Sequence, residues 1–349
     1  MNKLNLKTKE EQEYLDNHVC ALPFYRMEVG SNGHVRFCCA SWTNEVIGDV
    51  TQTSIEEVWK SPKAIQIRES MQSPSPREFI GCRTDRCEII KNRRLHKDIV
   101  QPNREWPVEL EFNIDRTCNL HCPSCRQRPI HDIPDPEYEE KLKMFRQSVA
   151  PYFKEPHDRE IIINIDGSGE VFASRVYRTL FDTEPCFSKT ELWPNLKFIM
   201  QTNGVLLTEK LQNKYANFVD RIDHLWVSID AGNESSYNKT RRGGDWNLLW
   251  QNMDAYYERI KNNPNAKWTW NLIIQLDNFE SIPELVERAH KYHEKLPGLS
   301  FTDIVNWGTY TAEQYDMLAV HRPSHPLHKK FLDIINVGIV KNYPKRHYR

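Results

Sequence analysis

The chain of 349 residues has no apolar run approaching the ~20 residues that a membrane-spanning helix needs. It also has little net charge, 47 Lys and Arg standing against 48 Asp and Glu. That balance argues against bulk nucleic acid or an anionic membrane as a dedicated electrostatic partner. The stretch from Met1 to His18 is polar and lacks the apolar centre of a signal peptide, so the expected location is the cytoplasm. No internal repeat and no low-complexity block stands out. Apolar residues reach only 39% and mean hydropathy is −0.69. Aromatic residues, including ten Trp, nevertheless supply enough buriable surface to exclude a disordered chain. The length fits about two domains at ~150 residues each, or one large barrel with an appendage.

What is present in a pattern is cysteine. Eight of the nine fall in two groups: Cys20, Cys38, Cys39, Cys82 and Cys87, then Cys118, Cys122 and Cys125. Cys186 stands alone. In a reducing compartment such grouping favours metal ligation over structural disulfides.

Residues 1–104 read as short strands and turns. Phe24 to Cys38 is expected to form a hairpin around Ser31-Asn32-Gly33, whose Asn and Gly suit the left-handed positions of a tight turn. Ser54 precedes a short capped helix over Ile55 to Trp59, and Pro102 and Pro107 bracket a linker. From residue 105 to about 310 the pattern changes. Strand-like runs at Val108–Ile114, Glu160–Ile165, Leu196–Gln201, His224–Ile229, Trp268–Gln275 and Leu299–Val305 alternate with helical stretches at Pro136–Tyr152, Thr208–Val219, Trp246–Lys261 and Ile282–Lys295. This alternation predicts an α/β fold, a partial (β/α)6 TIM-like barrel with a small N-terminal α+β domain. Such barrels carry chemistry at the C-terminal ends of their strands. Residues 311–349 are expected to be an extension, helix-poor before Pro326, ending in a solvated basic and aromatic arm.

The first barrel strand leads into Cys118-Asn119-Leu120-His121-Cys122-Pro123-Ser124-Cys125. Soft thiolates select iron–sulfur clusters or zinc. A closed structural site needs four ligands, and this loop supplies three, which leaves one iron of a cubane open. A zinc knuckle completed by His121 or His131 is the competing reading. The C-x3-C-x2-C spacing after a strand resembles the radical S-adenosylmethionine (radical SAM) superfamily, although Ser124 stands where many members carry an aromatic residue.

The resemblance extends along the later strands. Gly167, Ser168, Gly169 and Glu170 are similar to the Gly-Gly-Glu element that binds the methionine amino group, with Ser168 in place of its first glycine. Thr202-Asn203-Gly204 is similar to the Thr-Asn-Gly element. Ser228-Ile229-Asp230-Ala231, Tyr237 and Arg241-Arg242-Gly243-Gly244 resemble the segment in which Ser228 and Asp230 would face the ribose and Arg241 the methionine carboxylate. Asn271, Gln275 and Asn306 are candidates for adenine or substrate contacts, or buried polar residues held by the backbone.

In the first group, Cys20, Gly33 and Cys38 have the spacing that opens the SPASM/twitch auxiliary domain, and Cys82 and Cys87 would complete four ligands. Adjacent residues of a strand face opposite ways, so one of Cys38 and Cys39 is spare, and the Gly33 spacing selects Cys38. Zinc on the same four thiolates is again the alternative. In many relatives this module follows the barrel, whereas here it precedes it.

The resemblance implies an oxidoreductase or epimerase of the radical SAM type, with a SAM-binding [4Fe–4S] cluster, a second auxiliary [4Fe–4S] cluster, S-adenosyl-L-methionine, and a reductant such as flavodoxin or ferredoxin. SAM would be cleaved reductively to a 5′-deoxyadenosyl radical that takes a substrate hydrogen. Oxidation, cross-linking or epimerisation of a ribosomally made peptide would follow. A sugar, aminocyclitol or other small metabolite is the alternative substrate, and a non-enzymatic zinc-binding module the alternative of another class. Cys186 or Cys39 is a candidate thiol hydrogen donor, a buried packing residue being the plainer reading of Cys186. His321, His325 and His328 lie in a Pro-rich loop and read as surface histidines rather than metal ligands.

Overall fold

The computed structural model describes residues 9–73, 79–97, 104–165 and 168–348. Its strands are β1 (Arg26–Gly30), β2 (His34–Arg36), β3 (Gly48–Asp49), β4 (Glu109–Asn113), β5 (Ile161–Ile165), β6 (Leu196–Thr202), β7 (Ile222–Ser228), β8 (Lys267–Ile274), β9 (Gly298–Asp303) and β10 (Arg346–Tyr348). All six of the alternating strands expected from residue 105 onward are present, most with ends shifted by a residue or two. The chain divides into two compact units, one of residues 1–114, 135–164 and 192–196, the other of residues 115–134, 165–191 and 197–349.

In the first unit the hairpin forms as its turn residues dictate. Gly33 has φ +81°, and a Cβ there would stand 2.5 Å from the Thr51 side chain. β1 pairs antiparallel with β2, and β2 antiparallel with β3. On its other side β1 pairs parallel with β4, from Arg26 opposite Glu109 to Gly30 opposite Asn113. The helix Ile55–Trp59 is closed by a reciprocal capping box. The Glu57 N–H donates to Ser54 Oγ (3.2 Å) and the Ser54 N–H to Glu57 Oε2 (2.9 Å). It buries Ile55, Val58 and Trp59, and the Arg68 guanidinium lies 3.8 Å from the Trp59 ring centre. The helix Asp135–Val149 buries Leu142, Phe145 and Val149, with the Phe145 and Phe112 ring centres 4.6 Å apart. The period of two along β1 and β4 brings Arg26, Glu28, Glu109 and Glu111 together. The Arg26 guanidinium pairs with Glu111, and Asn164 Nδ2 donates to Glu111 Oε2 at 3.1 Å. Sequence reading did not foresee this buried charged patch.

In the second unit β6, β7, β8 and β9 form a parallel sheet in that order. Helices Glu209–Lys214 and Ala216–Val219 follow β6, Trp246–Ile260 follows β7, and Ile282–His290 follows β8. Asp245 caps the longest of them by accepting the Leu248 N–H at 2.9 Å. The core is aromatic: Phe181, Phe187, Phe198 and Phe218 pack with ring centres 4.7–5.4 Å apart. Trp250, Trp268, Trp270 and Tyr292 form a second set at 5.0–5.5 Å.

The tail differs from expectation. Ala312–Leu318 is a helix opened by a Thr311/Gln314 capping box, a Thr-x-x-Gln signal the sequence carries in plain view. Its end is not a solvated arm, because Arg346–Tyr348 pairs parallel with β9 as β10. His325 and His328 are tied to the backbone, each ring within 3.0–3.1 Å of a carbonyl, those of Met317 and Val320. Among the described residues no helix is long and apolar enough to cross a membrane.

Candidate active site and metal centres

The second unit places the cysteine loop against the segments that follow β5, β6 and β7. Asp115 starts the loop: its Oδ1 accepts from the Thr117 N–H (3.0 Å) and hydroxyl (2.8 Å), and its Oδ2 from the Ser174 hydroxyl. The Cys118 N–H donates to the Ile130 carbonyl at 2.8 Å, and the His121 N–H to the Arg242 carbonyl at 3.0 Å. The Glu170 N–H donates to the Thr117 carbonyl at 2.7 Å, and Asn203 Nδ2 to Asn119 Oδ1 at 2.9 Å. Gly169 permits this packing, since a Cβ there would lie 2.3 Å from the Thr117 carbonyl oxygen.

Each of the three sulfurs meets one protein N–H. Leu120 N–H points to Cys118 Sγ (3.4 Å), Arg241 Nη1 to Cys122 Sγ (3.5 Å) and Arg126 Nη2 to Cys125 Sγ (3.5 Å). Cys118 and Cys122 are buried and Cys125 is exposed. Burial pushes the Cys118 thiol up to about 11, against the pull of the Leu120 N–H. Ligation therefore releases a proton here.

The residues expected to hold a nucleoside sulfonium are gathered beside this loop, and several engage one another. The Glu170 carboxylate is buried and accepts from the Asn203 N–H (2.6 Å), the Thr202 hydroxyl (2.7 Å) and the Phe172 N–H (3.3 Å). Burial raises its pKa against those hydrogen bonds. Asp230, at φ +53°, pairs with Arg241 at 3.0 Å and accepts the Ile273 N–H at 2.7 Å. Ser228 is buried and its Oγ lies 3.4 Å from Gln201 Nε2. The Ser168 carbonyl accepts from Arg126 at 2.8 Å. Gly167 lies outside the described residues. Asn271 receives the Ile229 and Asp230 N–H groups on its carbonyl, Gln275 gives its N–H to Asn278, and Asn306 clasps Gly308 and Tyr310 within its own loop. The arrangement fits a cluster and its nucleoside ligand on one independent feature. Among the described residues the buried Tyr237 hydroxyl has no hydrogen-bond partner; it feels the charges of Arg241 and Cys122, and a Cβ on Gly244 would stand 2.4 Å from it.

Cys186 is not brought to this site. It is buried in the short helix Pro185–Ser188, and burial, followed by the Glu184 carboxylate, raises its thiol well above the ordinary range. Three residues that the sequence did not single out do converge on the loop. They are Asn119 and Arg126, and Tyr310, whose hydroxyl is pushed up to about 12 by burial, then Asp277, with Cys122 adding to it. Asn119 lies inside the cysteine motif and Arg126 directly after it, whereas Tyr310 reaches it from the segment after β9, and no local pattern marks it.

In the first unit Cys20, Cys38, Cys82 and Cys87 stand close enough to perturb one another. Burial raises all four, and the Cys38 thiol is raised further by Cys82, Cys20 and Cys87. Cys39 instead has its sulfur 3.0 Å from the Ser41 hydroxyl. Among the described residues no set of three or more His, Cys, Asp and Glu side chains closes to the spacing of a single metal ion. Thiolates of a cubane sit on separate irons and stand further apart than the ligands of one zinc ion.

Residues 20–88 match the SPASM family, an iron–sulfur cluster-binding domain, and the match covers the four mutually perturbed cysteines. The chain is also similar to the solved structure of native anSMEcpe with bound AdoMet, at 16% identity and TM-score 0.37, covering 57% of this chain and 51% of that one. The same enzyme with AdoMet and the Cp18Cys peptide gives 15% identity and TM-score 0.37, with 57% and 51% covered. This chain thus spans about half the length of those proteins. No curated protein matches it significantly.

Proposed function

We propose that this chain is a radical SAM enzyme with an auxiliary iron–sulfur domain, acting on a peptide. The observation that carries the reading is the three-cysteine loop, pinned by its neighbouring segments, with one protein N–H directed at each sulfur. Cys118, Cys122 and Cys125 would hold one [4Fe–4S] cluster, and Cys20, Cys38, Cys82 and Cys87 the other. With an electron from a flavodoxin- or ferredoxin-like donor, a cluster held on that loop would supply the reductive cleavage of SAM to methionine and a 5′-deoxyadenosyl radical.

The chain's own residues bind and orient. Arg241, held by Asp230, presents a guanidinium beside Cys122, where it suits the carboxylate of an amino acid. Tyr237 offers a spare hydroxyl to the same place. Ser228 lies at the end of β7, where a hydroxyl suits a ribose. Glu170 fixes the β6 end through three protein donors, two on Oε1 and one on Oε2, and the remaining acceptor site of its carboxylate suits the ammonium of an amino acid. The six parallel-type strands are read as a partial (β/α)6 barrel. Val305, Trp307 and Met317 are exposed on the segments after β9, and Thr309 lies 3.4 Å from the Ser124 carbonyl of the cysteine loop. Apolar side chains at such a rim suit a peptide better than a sugar.

The test is anaerobic incubation of iron-reconstituted protein with SAM and dithionite. Formation of 5′-deoxyadenosine, abolished in Cys122→Ala, is the expected result. S-adenosylhomocysteine as the product, or a colourless zinc protein, would rule the proposal out. A small metabolite consumed in place of a peptide would keep the class and change the substrate.

A further inference from the structure

We infer that Arg126 is a positioning residue for the third thiolate, and that its charge raises the reduction potential of the cluster on the cysteine loop. The inference rests on the reading of Cys118, Cys122 and Cys125 as cluster ligands. Cys125 is the one exposed member of the three, so packing alone does not fix its side chain. Arg126 supplies what packing does not. Its Nη1 donates to the Arg116 carbonyl at 2.7 Å, and its Nη2 donates to the Ser168 carbonyl at 2.8 Å and reaches Cys125 Sγ at 3.5 Å. One guanidinium therefore ties the start of the loop, the segment after β5 and the third sulfur together. The planar fork can serve these acceptors from fixed directions, and a lysine ammonium cannot reproduce that geometry.

The electrostatic consequence follows from the same contact. One-electron reduction adds a negative charge to the cluster and its thiolates. A cation hydrogen-bonded to a ligating sulfur stabilises the reduced form more than the oxidised one. Arg126 is partly open to water, which screens the effect. The expected change on removing its charge is about tenfold in the reduction equilibrium, about 59 mV for a one-electron couple.

The experiment is a redox titration of the full-length, iron-reconstituted protein, followed by electron paramagnetic resonance, on wild type, Arg126→Gln and Arg126→Lys. The signal that changes on adding SAM reports this cluster, and the other signal, from the auxiliary site, is the internal control. The expected result is a midpoint about 59 mV more negative in R126Q, a smaller shift in R126K, and an unmoved control signal. An unchanged midpoint in a fully loaded R126Q protein overturns the inference, and so does loss of iron from both sites. If R126Q does not load the loop cluster but keeps the auxiliary one, the positioning role stands, and R126K then decides the electrostatic role. A midpoint in R126K as low as that expected for the neutral variant refutes it. The triple variant C118A/C122A/C125A separates this inference from its foundation. If iron content does not fall by about four atoms per chain, the ligand assignment is wrong, whatever Arg126 does.

Discussion

Gly169 offers the sharpest test of how the cysteine loop is held. An added Cβ would stand 2.3 Å from the Thr117 carbonyl oxygen and 2.9 Å from both the Arg116 carbonyl carbon and the Asp115 carbonyl oxygen. Ordinary contact begins at 3.4 Å, so the backbone of the loop must retreat by about 1 Å. All three atoms are main chain of the stretch 115–117, and none is the end of a flexible side chain that could swing away. Overpacking of this kind costs about 1–3 kcal/mol, and the retreat also stretches the 2.7 Å hydrogen bond from the Glu170 N–H to Thr117. At roughly 2–4 °C per kcal/mol, Gly169→Ala should lower the melting temperature of the apoprotein by about 2–12 °C. It should also cut iron loading of the cysteine loop while sparing the auxiliary site. Gly338 is the control: a Cβ there has only the Asn342 side chain near it, at 3.9 Å, and alanine should change neither quantity. A G169A protein with wild-type melting temperature and iron content would show that the loop is not packed as described.

Three further outcomes are expected. Cys38→Ala should lose the auxiliary iron and Cys39→Ala should keep it, because only Cys38 sits among the other three thiols; equal losses by iron analysis would contradict this. Asp230→Ala leaves the Arg241 guanidinium buried beside Cys122 without its partner, and should cost about 3–5 kcal/mol in chemical denaturation of the apoprotein; a loss below about 1 kcal/mol would mean that water replaces the carboxylate. His321 is held below its ordinary value of 6.5, first by burial, with Arg322, His328 and His325 adding to the effect and Asp303 opposing it. The unfolded chain therefore binds the proton more tightly, and the stabilisation present above pH 6.5 is lost as pH falls below it. Melting temperatures of wild type and His321→Gln should converge or cross between pH 8 and pH 5.5, and a gap that widens in favour of wild type on acidification would refute the assignment.

The parts legible in the sequence are those whose cause is local. Alternation and helical period located β4 through β9, because each strand is buried enough to impose its pattern. Gly33 and Ser54 marked their turn and cap because the backbone needs those residues there. The Thr311/Gln314 box was equally local and went unread. What the sequence could not show is partnership across the chain. Asp230 and Arg241 each suggested a ligand contact, yet in the fold they pair with one another. Glu170 carries the right charge for an ammonium, and only the fold shows that its oxygens also serve Thr202, Asn203 and Phe172. Arg126 follows the third cysteine directly, and only the fold reveals that it grips Arg116 and Ser168 as well. β10 was missed for the same reason, since the strand that pairs with Arg346–Tyr348 begins about fifty residues earlier.

The parallel pairing of β1 with β4 sets a schedule for biosynthesis. About eighty residues separate Arg26 from Glu109, its partner in the register. At roughly 5–20 residues per second a ribosome needs on the order of ten seconds to deliver the second strand after the first. Throughout that interval β1 lacks its parallel partner and presents an open row of peptide groups, and the thiols of Cys20 and Cys38, joined near its end by those of Cys82 and Cys87, are accessible to oxidants and to stray metals. A cell making this protein therefore has reason to shield the nascent N-terminal segment, or to deliver its iron and sulfide, before translation has passed the second cysteine group.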